Sequence, residues 1–270
     1  MDTYKKLAEI FADTEKVCQT NEVIKKSVEY GLENVKFYDE KFRVENKTLY
    51  DYCIITVENE RSLNSAERLL KKYKKVAVLN FADPYQPGGL VREGEVTQEE
   101  CLCRCSTLYP VISDKKCHEF FYHYHMKNPN KWLSERIIYV PDVTVFKTDE
   151  MYPQMREDFF NVDIITSTAP IIVSKDFDSN TLYKVHKSRI KNIFESAIDN
   201  GAEAIVVGAF GCGAFNNPPE VVANAFYDVI VDLNYDYCFK EICLAVLAEG
   251  KSGKKNYEIF SKAFENVKSN

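Results

Sequence analysis

The apolar run Val76-Ala77-Val78-Leu79 and its abrupt end constrain this chain most. Asn80-Phe81-Ala82 follows, then Pro84, Pro87, Gly88 and Gly89, and then Gln98-Glu99-Glu100 at the head of a helical pattern. Four apolar, partly β-branched residues bounded by turn formers read as a buried strand. A strand, a glycine turn and a helix start in that order make an anion site. Glycine lets the backbone approach a ligand closely, and the free N–H groups of a helix's first turn, at the positive end of its dipole, favour phosphate. Glu99 and Glu100 stand where that phosphate would be held.

With 270 residues and 45% hydrophobic content the chain can bury a full core, as one large domain or one domain with an appendage. A net charge of -6 and a pI near 5.4 argue against holding nucleic acid by bulk electrostatics. The cluster Lys71, Lys72, Lys74 and Lys75 reads as a solvated helix end. No window approaches the roughly 20 apolar residues needed to span a bilayer, and the N-terminal stretch lacks the apolar core of a signal peptide. A cytoplasmic protein without membrane contact is expected. Nine cysteines without framework spacing suit reduced thiols, so no structural disulfide is expected.

Apolar positions at helical spacing predict two helices within residues 2–32, broken at Gln19-Thr20-Asn21. Leu49 to Val57 reads as the first core strand and Ser62 to Tyr73 as a helix. Cys117 to Trp132 is aromatic and histidine-rich without a clear period. Strands are predicted at Ile137–Val140 and Val143–Phe146, on either side of Pro141-Asp142, and at Val162–Ser167. A helix from Thr181 to Asn200 ends at Gly201. A second strand, glycine loop and helix follows as AEAIVVGAFGCGAFNNPPEVVANAFYDVI, with Pro218 and Pro219 in the helix's first turn and Asn216 or Asn217 as its cap. The last unit is a strand, Glu241–Leu247, a basic loop, and a helix from about Asn256 to Val267. Strands alternating with helices make the chain α/β, with helices covering a largely buried sheet.

Glu99 and Glu100 are adjacent, so on a helix they point about 100° apart and can do different jobs on one ligand. Thr97 followed by Glu100 is also the capping-box pattern, in which the glutamate satisfies a backbone N–H, and from spacing alone that is the commoner meaning. The loop Gly208 to Asn216 suits either a diphosphate or a tight structural turn; Asn216 at the third glycine position speaks against a dinucleotide fingerprint. Ala245 to Ser252 approaches a P-loop but has alanine for the first glycine, which rejects an NTPase. Cys101, Cys103, Cys105, Cys117, His118, His123 and His125 lack zinc-site spacing and read as packed thiols and surface imidazoles. Cys212 has no base nearby in sequence to activate it as a nucleophile.

Asn80-Phe81-Ala82, Pro87-Gly88-Gly89-Leu90 and Gln98-Glu99-Glu100, with the helix continuing as LCRCSTLYP to Pro110, together resemble the signature of bacterial-type poly(ADP-ribose) glycohydrolases, members of the macrodomain superfamily. GAFGCGAFNNPPE resembles that family's second, diphosphate-binding loop. The resemblance implies a three-layer α/β sandwich with a central mixed sheet flanked by helices over residues 48–270, and an N-terminal helical extension over residues 1–47. It implies hydrolysis of the ribose–ribose O-glycosidic bond, releasing ADP-ribose without a metal or cofactor. Glu100 would protonate the leaving ribose oxygen and then act as general base, while Glu99 would bind ribose hydroxyls and help keep Glu100 protonated. Gly88, Gly89, Gly211, Cys212, Gly213 and Ala214 would line the diphosphate, Phe215 would pack on the terminal ribose, and Asn80 and Gln98 would contact substrate. Leu90 stands where the family has its third glycine. The implied partners are ADP-ribose, its polymer and ADP-ribosylated proteins, not a sequence-specific nucleic acid. A non-hydrolysing ADP-ribose reader, a mono-ADP-ribosyl-protein hydrolase and an interaction protein whose loops bind nothing remain as alternatives.

Overall fold

The structure is a computed structural model that describes residues 2–40, 42–44, 48–130, 132–173 and 177–267. In chain order its elements begin with α1 (Thr3–Thr20), α2 (Glu22–Asn34), β1 (Lys36–Tyr38), β2 (Ile54–Glu58), α3 (Ser62–Leu70) and β3 (Val76–Phe81). The middle of the chain forms α4 (Gln98–Cys105), α5 (Leu108–Ile112), α6 (Lys115–Cys117), α7 (His123–Lys127), β4 (Ile137–Lys147) and β5 (Met155–Ser167). The last elements are α8 (Ser179–Asp199), β6 (Ala204–Val207), α9 (Pro219–Tyr227), β7 (Glu241–Ala245) and α10 (Gly250–Phe264). None of these helices is long and apolar enough to cross a membrane.

The chain divides into two compact units, and the boundary falls inside β3, after Leu79. One unit comprises Asp39–Leu79, Asn130–Glu135 and Thr168–Asn270. Its strands are parallel in the order β3-β6-β7-β2, with Val76 opposite Ala204, Ala204 opposite Glu241 and Glu241 opposite Ile54. Every residue of β6 and β7 is buried. Both faces of these strands are therefore covered, which explains why they read as continuous apolar runs rather than alternating ones. β2 is shorter than the predicted Leu49–Val57, because the N–H groups of Leu49 and Tyr50 both bond to the Tyr237 carbonyl instead of a strand. α10 starts at Gly250, so the predicted basic loop before Asn256 is the first turns of that helix.

The other unit comprises Met1–Tyr38, Asn80–Pro129 and Arg136–Ser167, with antiparallel strands in the order β1-β4-β5. The two strands predicted around Pro141-Asp142 are one strand. β4 passes through a bulge whose register against β5 shifts between Val140 and Val143. Asp142 takes φ 52° there, and its N–H bonds to the Asp163 carboxylate at 2.9 Å. Pro141 lacks an N–H, and a bulge needs none from it. The helix predicted to run from Gln98 through Pro110 stops at Cys105. Ser106 is extended, bridges to Val145, and turns its hydroxyl back to the Leu102 carbonyl at 2.7 Å before α5 begins. The histidine-rich stretch is helical from Lys115 to Lys127.

α1 and α2 form as two helices because Asn21 ends the first and caps the second, its Oδ1 accepting from the N–H groups of Val23 and Ile24. α1 is seated by buried polar bonds. Lys147 Nζ, on β4, bonds to the Ile10 carbonyl, Asp13 and the Thr14 hydroxyl, and Thr14 donates to the Arg104 carbonyl of α4 at 2.6 Å. The loop between β3 and α4 meets the other end of α1 at Gly94. That residue has φ 84°, and a Cβ there would lie 1.9 Å from the Tyr4 carbonyl oxygen. Gly94→Ala is therefore expected to destabilise the protein by about 2–4 kcal/mol, combining the left-handed strain with the forced shift of α1. Denaturant unfolding of the two proteins checks this.

Candidate active site

α4 presents the two carboxylates from its first turn, and both are buried, Glu99 at 2% exposure and Glu100 at 4%. Burial at that level obliges each oxygen to find a hydrogen bond. Glu100 Oε1 accepts the Leu90 N–H at 3.0 Å, and Glu100 Oε2 accepts from the Thr97 hydroxyl. The capping box is thus not formed. Thr97 is the N-cap residue by backbone angle, yet its side chain makes no capping bond. Glu99 Oε1 accepts from Asn80 Nδ2 at 3.2 Å and the Gly88 N–H at 3.3 Å, and Oε2 accepts the Asp83 N–H at 2.7 Å. Burial pushes the Glu99 carboxyl well above the usual range; the Asp83 and Asn80 donors oppose it and the neighbouring Glu100 adds to it.

Gly89 owes its identity to Glu100, and Gly88 to the Tyr109 ring. Gly89 has φ 54°, and a Cβ there would sit 2.4 Å from Glu100 Oε1. Gly88 has φ 70°, and its Cβ would strike the Tyr109 ring at 2.8 Å. Leu90, at the third glycine's place, has an ordinary φ of -98° and a half-exposed side chain. Its N–H serves Glu100, and its carbonyl accepts from Glu93 and Glu95. Gln98 does not reach outward with its carbonyl oxygen, which accepts the Phe81 N–H at 2.9 Å and ties the end of β3 to the start of α4. Asn80 is fully buried, its Nδ2 shared between Glu99 and Thr166 Oγ1. Arg92 was not singled out by sequence. It forms a bidentate pair with Glu15 of α1 at 2.9 and 2.6 Å, and its guanidinium lies 5.6 and 5.3 Å from the Phe11 and Tyr109 rings.

The second loop, in the other unit, is built around an amide. Asn217 does not cap α9, whose N-cap is Pro218 with Pro219 next. Instead Asn217 Nδ2 donates to the carbonyls of Pro170, Gly211 and Phe215, at 2.7, 2.9 and 3.3 Å. Gly211 has φ 78°, and a Cβ there would meet Asn217 Nδ2 at 2.6 Å. Gly213 and Ala214 are exposed, and a Cβ at Gly213 would meet nothing within 4 Å. Phe215 is half-buried and fixed by its carbonyl, which accepts the Ile172 N–H at 3.0 Å. Cys212 is buried, and burial pushes its thiol up, away from nucleophilic use.

Below the loop lies His186, which sequence reading missed; its only signal was a histidine on the apolar face Leu182, His186, Arg189, Ile190 of α8. His186 Nε2 lies 2.9 Å from Asn217 Oδ1. Because the Asn217 amino group faces three carbonyls, the imidazole must donate from Nε2, leaving a bare Nδ1 without a partner. Burial lowers its pKa to about 4. Arg189 is likewise buried and donates to the Thr168 and Trp132 carbonyls at 2.7 and 2.6 Å.

All nine cysteines are buried free thiols, and no group of three or more metal-ligating side chains is found among the described residues. His125 departs from the expected surface imidazole: it is buried, with its ring edge-on to Phe121 at 4.7 Å.

The unfolded His186 takes up protons below about pH 6.5 while the folded one resists until about pH 4, so stability is full above this window and falls as pH drops through it. The loss is expected to reach roughly 3 kcal/mol. His186→Gln, which keeps the donor to Asn217 but does not titrate, should lack that part of the acid sensitivity in unfolding measured at pH 7, 5.5 and 4.5.

The family model described as microbial-type PARG, catalytic domain, matches residues 5–148, more than half of the chain and inclusive of α1, the first loop and both carboxylates. The crystal structure of poly(ADP-ribose) glycohydrolase (PARG) from Thermomonospora curvata is 25% identical, with 96% of this chain and 99% of that chain covered and a TM-score of 0.86. The same enzyme bound to the inhibitor ADP-HPD is 26% identical over the same shares, with a TM-score of 0.84. The Deinococcus radiodurans PARG in complex with ADP-ribose, 23% identical with 89% and 98% covered and a TM-score of 0.81, is similar in fold. No curated protein sequence matches. By the span of the family match and the carboxylate-bearing loop and helix inside it, this chain belongs to the microbial-type PARG catalytic-domain family.

Proposed function

We propose that the protein hydrolyses the ribose–ribose O-glycosidic bond of poly(ADP-ribose) and releases ADP-ribose, with Glu100 as the proton-transferring group. The observation that carries this reading is the unequal bonding of two buried carboxylates on one helix turn. A carboxylate offers about four acceptor positions. Glu99 has three filled by nitrogen donors, which suits a group that holds a ribose hydroxyl with what remains. Glu100 keeps one position free on each oxygen, which suits a group that exchanges a proton.

In this mechanism the Glu100 proton passes to the leaving ribose oxygen as the glycosidic C–O bond breaks, and positive charge develops on the sugar ring. Water then forms the new C–O bond and returns a proton to Glu100. Glu99 supports the charged ring and the adjacent hydroxyls, and Asn80 acts through Glu99. Gly88 and Gly89 bring loop N–H groups to the carboxylates, and Gln98 fixes the helix start. Gly211, Cys212, Gly213 and Ala214 are assigned to the diphosphate and Phe215 to the terminal ribose, a reading supported by the exposure of Gly213 and Ala214 on a loop pinned from beneath by Asn217.

Residues 48–270 form the catalytic domain in this reading and residues 1–47 an extension whose first helix braces the loop; residues 45–47 at that boundary lie outside the described residues. The protein works in the cytoplasm on ADP-ribosylated proteins, a placement supported by nine unpaired cysteines.

Glu100→Gln is expected to lower release of ADP-ribose from labelled polymer by about two to four orders of magnitude while calorimetric binding of ADP-ribose persists. Unchanged release would remove Glu100 from the chemistry. Leu90→Gly should raise kcat/KM on the polymer, since it clears a half-exposed side chain from the residue whose N–H holds Glu100. A fall in kcat/KM with the fold intact would instead make Leu90 a contact for a different leaving group, and favour a mono-ADP-ribosyl substrate.

A further inference from the structure

We infer that Thr97 is a positioning residue whose hydroxyl serves both protonation states of Glu100. The inference rests on the glycohydrolase reading for its consequence in turnover, and on the hydrogen bonds around α4 for its geometry.

The two fixed partners of Glu100 differ in kind. The Leu90 N–H at 3.0 Å from Oε1 can only donate, so it suits the carboxylate. The Thr97 hydroxyl against Oε2 donates to a carboxylate and, after rotating, accepts from a carboxylic acid. The partners of Glu99 are all N–H donors, from Asn80, Asp83 and Gly88. A proton on Glu100 Oε2 finds the Thr97 oxygen.

The proposed reaction needs such a partner. Glu100 begins as the acid, gives its proton to the leaving oxygen, and takes one back from water. With only N–H donors around it, one of these two forms would leave a polar atom unpaired at 4% exposure, an arrangement that carries a large penalty. A hydroxyl follows the change by turning about one bond.

Thr97 is free for this duty because the helix does not use it. Its backbone carbonyl receives the Cys101 N–H at 3.1 Å, but its side chain bonds to none of the first-turn N–H groups. A capping threonine and a positioning threonine therefore predict opposite results on removal of the hydroxyl. Loss of a cap lowers stability and leaves chemistry intact, while loss of the partner lowers turnover.

The test compares the full-length wild type with Thr97→Val and Thr97→Ser. On labelled polymer, the valine variant is expected to lose about 10- to 100-fold in kcat with KM within about threefold of wild type. The serine variant, which restores the hydroxyl, should recover kcat to within about fivefold. A second readout does not need turnover. With 13C-labelled glutamate, the Glu100 carboxyl band is assigned by subtracting the infrared spectrum of Glu100→Gln. That band should move in the valine variant and hold its position in the serine variant. Should the valine variant fail to fold, Thr97→Ala takes its place. A wild type that releases no ADP-ribose would overturn the glycohydrolase reading, with the infrared shift still deciding the Thr97–Glu100 bond. Normal wild-type turnover with an unmoved band and unchanged kcat on hydroxyl removal would overturn the inference alone, as would a serine variant no better than valine.

Discussion

The close approach of the Gly89 backbone to the Glu100 carboxylate is the contact on which the first glycine loop and the start of α4 depend. A side chain at position 89 would place a carbon 2.4 Å from Oε1, and the backbone there sits at φ 54°, where glycine is at ease and other residues are strained. The next N–H, from Leu90, donates to the same carboxylate. One residue earlier the Gly88 N–H reaches Glu99. The loop and the first turn of α4 are thus a single object held together by carboxyl oxygen acceptors. A shift of the loop would leave both buried carboxyls short of donors at once, and an unpaired buried polar group carries a large penalty.

A loop of this kind has little apolar surface of its own to hold it in place, so the fixing comes from α1. Gly94 lies against the Tyr4 backbone, and Arg92 joins Glu15 while lying over the Phe11 and Tyr109 rings. α1 is in turn held by the buried Lys147, which satisfies three oxygens at the helix's centre, and by Thr14 on the Arg104 carbonyl. The N-terminal helix thereby acts as a brace for the first glycine loop, consistent with its inclusion in the span of the family match. The second loop solves the same problem with a neutral group. Asn217 gathers three carbonyls and accepts a hydrogen bond from a neutral His186.

Most elements were legible because their signals are local. The run Val76 to Leu79, the prolines and glycines after it, and the acidic helix start lie within one stretch of chain, and β6 and α9 repeat the pattern. The errors fall where a distant segment overruled a local sign. Pro141 looked like a strand break, but Asp163 of β5 receives the Asp142 N–H and lets β4 continue through a bulge. α4 looked long enough to reach Pro110, but Ser106 is drawn into a bridge with Val145.

The sequence by itself determined most of the strands and helices, though not β1 or the helices between Lys115 and Lys127, and it determined that two glycine loops follow two buried strands and that paired glutamates open the helix after the first. Tertiary structure decided what each polar group is for. Thr97 and Glu100 satisfy the capping-box spacing, yet they bond to each other and to Leu90. Asn217 satisfies a cap's position, yet it turns to Pro170 and His186. The physical reason is that propensity and periodicity act over a few residues, whereas a buried donor or acceptor must be satisfied by whatever group packing brings within about 3 Å. For Lys147 and Ile10 that group comes from 137 residues away.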